Sequence, residues 1–419
     1  MKFIHTADIH LDSPLSGLAS YEDAPAEMLR TATRDAFTNL VNEAIEEDVD
    51  FMVIAGDLYD GTWRDYNTGY FFCREMGRLN KADIPVYLLF GNHDAESEMT
   101  KKLSLPPNVH TFATREPSTF RIEHLKVALH GRSFKEAATT ENLALKYPER
   151  VAGWLNIGVL HTALEGNAQH APYAPCSLAE LSAKGYDYWA LGHVHEHAIL
   201  QKAPCWVVFP GNLQGRHIRE TGPRGAVLVT ADETGILSVE RLFVDVLRWH
   251  HVIVDVSSAQ TLADVVQLAG KALERLVSEN LESKPMSARV TVMGRTIAHG
   301  DLFSMEAHLR AEILGQAAAV GIHKLWVEKV RVETTPAADP NDIKARADAI
   351  ADLQALLEEA PKDELLLLNL AEELQQLVGK APFELMDAVQ DFKSIRAGDV
   401  VQLVKSVSPS LIAHLVKAS

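Results

Sequence analysis

Short, nearly unbroken apolar runs alternate with amphipathic stretches through the first 250 residues. MKFIHTAD, VDFMVIAGD, IPVYLLFGN, VALHG, WLNIGVLH and DYWALGHVH are each strand-sized, and each runs out into a polar or glycine-containing loop. Between the early ones lie helical patterns such as AEMLRTATRDAFTNLVNEAIEEDV, with apolar residues three and four apart. Strands without polar alternation need cover on both faces, so the pattern predicts α/β layers with sheets between helices. CWVVFPGN, RGAVLVTAD and SVERLFVDV continue as strands with less helix between them. Near Arg248 the pattern changes to β-α-β-α-β: HHVIVDVS, LADVVQLAGKALERLVSEN, ARVTVMG, DLFSMEAHLRAEILGQAA and KLWVEKVRVE. TTPAADPNDI at 334–343 reads as a linker. The remainder looks mostly helical, with NLAEELQQLVG the clearest segment and APFELMDAV and SLIAHLVKAS weaker. The expected organisation is a layered α/β domain at 1–248, a small α/β domain at 249–333 and a helical region at 343–419.

The opening MKFIHTADIH is a poor secretory leader, because His5 and Asp8 break its apolar run. No apolar run approaches the roughly 20 residues that span a bilayer. Cys73, Cys176 and Cys205 are odd in number and scattered, which fits a reducing cytoplasm rather than a disulfide framework. The formal net charge of −17 argues against a broad nucleic-acid coat. The charge is uneven, however: residues 333–393 hold fourteen acids and five bases, a net −9.

Candidate chemistry lies at the ends of the apolar runs. TADIH (6–10), GDLYD (56–60), GNHD (91–94), the lone His161 of GVLH and LGHVH (191–195) supply Asp8, His10, Asp57, Asn92, His161, His193 and His195. These seven oxygen and nitrogen donors, without cysteine, suit hard or borderline divalent ions. Seven are too many for one tetrahedral ion and about right for two ions sharing a carboxylate, the usual equipment of phosphoester hydrolysis. Side chains just beyond the carboxyl ends of strands in an open α/β sheet converge on one crevice. Asp8 and His10 share a side if their stretch stays extended, and His193 and His195 can do the same. Gly56, Gly91, Gly158 and Gly192 recur beside the donors, as tight turns aimed at ions require.

The order D-x-H, GD-x-x-D, GNHD, H, GH-x-H resembles the calcineurin-like metallophosphoesterase superfamily. HTADIHLDSPL, IAGDLYD, LFGNHD and LGHVHE resemble its DNA-repair exonuclease branch, with SbcD-like and YhaO-like members; the likeness covers about the first 330 residues. It implies a sandwich of two central sheets flanked by helices. It implies one ion on Asp8, His10, Asp57 and His195, and another on Asp57, Asn92, His161 and His193, with Asp57 bridging. The family usually uses Mn²⁺; in coordination terms Fe and Zn also fit, and magnesium fits less well. The resemblance makes His93 catalytic, with Asp94 orienting it. Asp60 sits where some relatives carry histidine, and His5 and His197 read as structural or as lying behind the ligands.

The implied activity is manganese-dependent hydrolysis of DNA phosphodiesters, exonucleolytic with or without an endonuclease component. The alternatives are a phosphodiesterase of nucleotides or other small phosphoesters, and a nuclease-like subunit of a DNA-processing ATPase complex with weak activity alone. Arg216, Arg219, Arg224, Arg289, Arg295, Lys324, Lys329 and Arg331 are candidate phosphate contacts or solvated bases. Trp63, Tyr66, Tyr70 and Phe71 read as a packed helix face or a subunit contact. The resemblance also implies a homodimer through helices at about 26–47 and 64–80, by way of Met28, Phe37, Val41, Ile45, Tyr70, Phe71 and Leu79. It implies an SbcC-like ATPase docking on residues 343–419, where Leu365, Leu366, Leu370, Leu374 and Leu377 form the apolar stripe.

Overall fold

Phe3 and Ile4 point to opposite faces of the first strand, and both are fully buried. That two-sided cover is what an unalternating apolar strand requires. In the computed structural model the described residues are 1–15, 26–60, 66–96, 104–164, 173–280, 282, 284–321, 324–337, 349–378, 394–396 and 398–405. Trp63, the linker beyond Ala337, and the segments APFELMDAV and SLIAHLVKAS lie outside them.

Two compact units form: residues 1–250 with 282–287, and residues 251–281 with 288–419. The first is the expected sandwich. One six-stranded sheet runs in the order β12 (Gly235–Phe243), β11 (Gly225–Asp232), β1 (Lys2–Thr6), β2 (Phe51–Ala55), β3 (Val86–Leu89) and β4 (Val109–Thr111). Strands β1 to β4 are parallel neighbours, and β11 and β12 close that edge antiparallel. The other sheet runs β5 (Ser118–Ile122), β6 (Val127–Gly131), β7 (Leu155–His161), β8 (Tyr188–Gly192), β10 (Trp206–Phe209) and β9 (Ala198–Gln201). There β6, β7, β8 and β10 are parallel, with antiparallel strands at both edges.

Alternate residues of each inner strand feed different cores. Phe3, Phe51, Val53, Val159, Tyr188 and Val227 fill the space between the sheets, with the Phe3 and Phe51 rings stacked at 4.8 Å. Ile4, Met52, Ile54 and Leu88 face outward against Phe37, Leu40 and Val41 of helix α1 (Ala26–Glu46) and Phe72, Met76 and Leu79 of α2 (Tyr66–Lys81). Phe37, Val41, Phe71 and Leu79, expected at a subunit contact, are thus buried within one chain, while Tyr66 and Tyr70 stay exposed. On the second sheet, Trp189, Leu191 and Val207 pack on Tyr147, Leu181 and Tyr186.

The second unit carries a three-stranded sheet, β13 (Arg248–Asp255), β14 (Met286–Thr296) and β15 (Leu325–Pro336), in that order. After two short helices in the first unit, α3 (Asn92–Glu96) and α4 (Leu178–Ala183), come α5 (Leu262–Glu279), α6 (His299–Ser304) and α7 (Glu306–Gly321) in the second. Helix α5 opens with a reciprocal Thr261–Asp264 capping box and packs on α7, which lies on β15. Helices α8 (Ala349–Glu359) and α9 (Glu364–Val378) follow. Leu370 and Leu374 of α9 pack with Ile395 and Val400, whereas Leu365 and Leu366 are exposed. Among the described residues no helix is long and apolar enough to cross a membrane.

Candidate metal centre

The donor strings leave β1, β2, β3, β7 and β8 at their carboxyl ends, and local backbone geometry gathers them. The loop after β1 is sewn to the loop after β2: the N–H groups of Asp8, His10 and Leu11 donate to the carbonyls of Gly56, Asp57 and Leu58 at 2.9–3.0 Å. Asp8, His10 and Asp57 adopt φ of +50°, +46° and +54°, and His193 adopts +97°. The stretch from Asp8 to His10 is therefore not extended, the condition on which a shared side had been expected, yet the two side chains still reach one cluster. Left-handed residues turn its side chains inward, and non-glycine residues held there are a recurrent mark of functional sites.

Three groups of ligand atoms, each within 4.8 Å of one another, result among the described residues: Asp8, His10 and His195 form one cluster, Asp57, His161 and His193 a second, and Asp60 and His93 join His10 in a third at the edge of the first. His193 and His195 serve different clusters, so the pair does not share a side. His10 Nε2 and His195 Nε2 face each other at 3.3 Å. His195 Nδ1 donates to Glu220 Oε1 at 2.7 Å. In the second cluster His161 Nδ1 donates to the Ala55 carbonyl at 2.9 Å, leaving Nε2 3.0 Å from Asn92 Oδ1 and 3.3 Å from Asp57 Oδ2. Asp8 accepts the His193 backbone N–H on both oxygens at 3.0 Å, and Asp57 Oδ1 accepts that of His93 at 3.0 Å.

Burial dominates the electrostatics. It pushes Asp8 up to about 6, against the charges of His195 and His161. It drives His10 down to about 3, with the charge of Arg216 helping. Asp57 is just as buried, but the charge and hydrogen bond of His161, with His10 and His93, hold it well below the usual carboxylate range. Burial disfavours charge on His161 too, yet Asp57 raises it to about 9.

Asp94 does not orient His93. Its carboxylate accepts the backbone N–H groups of Leu58, Tyr59 and Gly91 at 3.0–3.2 Å, so it fixes the turns that carry Asp57 and Asn92. Burial and the charge of Asp57 push it up to about 7. The carboxylate beside His93 is Asp60: its Oδ1 lies 3.5 Å from His93 Nδ1, 3.5 Å from His10 Nδ1 and 3.7 Å from an Arg216 guanidinium nitrogen. His93 is 39% exposed at the side chain, far more open than the donors around it. His5 is structural, bonded to the Tyr188 hydroxyl and the Leu191 carbonyl.

Gly91 earns its place, since a Cβ there would lie 2.8 Å from the Asp57 backbone nitrogen. Gly158 does not belong to the site: its missing side chain makes room for the Trp189 ring. Sequence reasoning passed over Ser13, whose hydroxyl accepts from Arg216 at 3.0 Å, and Glu220. It also passed over Phe134 and Tyr173, whose rings stand edge-on to His161 and His193 at 5.6 Å. Ser13 lies within the HTADIHLDSPL string but carries no donor type that singles it out, and no motif marks Glu220, Phe134 or Tyr173; only folding brings them near.

Residues 1–197 match the calcineurin-like phosphoesterase family, and residues 249–335 match the middle domain of the metallophosphoesterase YhaO. The metallophosphoesterase YhaO of Bacillus subtilis is 33% identical over 297 residues, which are 70% of this chain and 72% of that protein. The chain belongs to the calcineurin-like metallophosphoesterases. A DNA double-strand break repair protein Mre11 from Methanopyrus kandleri is 24% identical over 407 residues, 87% of this chain and 84% of its own. The crystal structure of a dimetal phosphatase from Danio rerio covers 58% of this chain at 12% identity, with a TM-score of 0.35. Calcineurin-like phosphoesterases are hydrolases that use divalent metal ions, and this metallophosphoesterase has donors to match. Two imidazole nitrogens confronting each other, beside buried carboxylates and with no thiolate, are a fitting cradle for such ions.

Proposed function

We propose that the chain is a manganese-dependent nuclease that hydrolyses DNA phosphodiesters at a two-ion centre. The observation that carries the reading is the pair of clusters, one around the facing nitrogens of His10 and His195 and one around His161 Nε2. Asp8, His10, His195 and Asp57 would hold one ion, and Asp57, Asn92, His161 and His193 the other. When bound, the ions supply charge neutralisation for a phosphorane-like transition state and a hydroxide nucleophile. The protein supplies the rest. Asp94 and the β1–β2 loop bonds fix the donors before substrate arrives, so little reorganisation remains for the reaction itself. His93 is the open imidazole at the rim. With Asp60 beside Nδ1, its Nε2 is left to steady a phosphoryl oxygen or protonate the departing one.

The Mre11 relative, matched along most of its length, supports DNA as the substrate. Among the candidate bases, Arg289 is taken up by a bidentate pair with Glu328 at 2.7–2.8 Å. Arg224 is buried against Asn212, Glu196 and two carbonyls. Lys329 and Arg331 on β15 are exposed, Arg331 with a loose ion pair to Glu333 at 3.9 Å.

The test offers end-labelled duplex DNA and bis(p-nitrophenyl) phosphate to the manganese-loaded chain and to its Asp57→Asn variant. The expected result is cleavage of both by the native chain and loss of both in the variant. Hydrolysis of the small ester with intact DNA would overturn the nuclease reading in favour of a small-phosphoester hydrolase.

A further inference from the structure

We propose that Glu220 is a positioning residue for His195, deciding which ring nitrogen is presented to the metal centre; the proposal rests on the reading of Asp8, His10 and His195 as ion ligands. Glu220 stands 25 residues beyond His195, outside every motif of the family pattern, and is only 4% exposed. Its carboxylate is committed on both oxygens. Oε1 accepts from His195 Nδ1 at 2.7 Å. Oε2 accepts the Arg216 backbone N–H at 2.7 Å and the Asn212 side-chain amide at 2.9 Å. Asn212 cannot be turned over to change this, because its amide nitrogen also donates to the Gln214 carbonyl at 2.9 Å and its oxygen accepts from Arg224 at 3.2 Å. Arg216 and His217 add cationic or polar nitrogens 3.7 and 3.6 Å from Oε1.

A carboxylate can only accept, so in the neutral ring Nδ1 of His195 carries the proton and Nε2 the lone pair. Nε2 is the atom that faces His10 Nε2. An imidazole held by a carboxylate in this way is both oriented and made more basic. At His161 a peptide carbonyl, that of Ala55, does the equivalent work. The segment 212–220 is thus the back wall of one ligand.

Glu220→Gln is consequently not a mild change. Two N–H donors require an oxygen at the Oε2 position, so the new amide nitrogen falls opposite His195 Nδ1. Nδ1 must then accept, the ring proton moves to Nε2, and the lone pair leaves the centre. Glu220→Ala instead leaves Nδ1 unpaired and lets either tautomer form.

The experiment measures Mn²⁺ stoichiometry and affinity, by chelator competition, on the full chain and on Glu220→Gln and Glu220→Ala. It also reads the His195 tautomer in the metal-free proteins from ring ¹⁵N shifts. We expect two ions on the native chain and, in both variants, roughly 10–100-fold weaker binding of one ion with the other little changed. Metal-free Glu220→Gln should carry its His195 proton on Nε2. Because glutamine keeps the shape of glutamate, that variant decides the matter even if the alanine variant unfolds. A native chain that binds no ion would overturn the reading of the centre itself. A native chain with two ions, beside a Glu220→Gln variant of unchanged affinity and tautomer, would overturn only the role of Glu220. Joint loss of both ions from a folded variant would also overturn it, as a general collapse of the site.

Discussion

On the proposed ligand assignment, an arriving ion has to displace the proton on His161. Nδ1 is committed to the Ala55 carbonyl, so in the metal-free protein the second proton sits on Nε2, between Asp57 and Asn92. Asp57 holds that proton until about pH 9 despite complete burial. Ligation needs the lone pair, so loading below this pH expels the proton and affinity falls as pH falls. Asp8 adds a second event: raised to about 6, it regains a proton in the range where ordinary carboxylates stay ionised. Titration calorimetry in two buffers of different ionisation enthalpy should therefore show about one proton released per chain near pH 7–8, rising toward about two near pH 5. A release that stays flat across that range would contradict the assignment. His93 should behave differently: its ring stands edge-on to that of His10 at 5.0 Å, but it is far more open than the donors and the carboxylate beside it is Asp60. His93→Ala is expected to retain both ions by elemental analysis while kcat drops by about 10²-fold or more.

At the scale of elements, the centre depends on how strands end. Strands β1, β2, β3, β7 and β8 were legible because two-sided burial makes them unbroken apolar runs, and the donors follow directly. Strands β4, β5 and β9 were not, because their residues are largely half-buried or exposed and carry no comparable run. The donor types could be read from sequence; their distribution between clusters could not be read from spacing. His193 and His195 diverge because His193 takes a φ of +97°, which spacing cannot foretell. Asp94 was misjudged for a related reason. The resemblance implied that Asp94 orients His93, but the α3 turn aims the carboxylate at backbone N–H groups instead. Gly91→Ala tests this dependence on turns. Its Cβ would press on the Asp57 backbone from 2.8 Å, so the turn must move. We expect ion binding and activity to be largely lost while far-ultraviolet circular dichroism keeps the native helix and strand content. Normal ion affinity in that variant would show that the turn has slack.

At the scale of the whole molecule, a net charge of −17 means that any DNA contact has to be local. Lys329 and Arg331 are exposed on β15 of the second unit. Reversing both to glutamate should slow DNA cleavage much more than hydrolysis of bis(p-nitrophenyl) phosphate, because a small ester needs only the centre whereas a polymer draws on remote contacts. Equal slowing on both substrates would rule out a DNA-guiding role for this edge. The course of the chain between its two units carries a further consequence. Residues 282–287 return to the first unit, where Glu282 and Lys284 pair with Arg248 and Asp245 at 2.6–2.8 Å. The covalent chain therefore passes between the units three times. A recombination event that spliced in a foreign second unit at one junction would strip the phosphoesterase unit of part of its own ion-pair network.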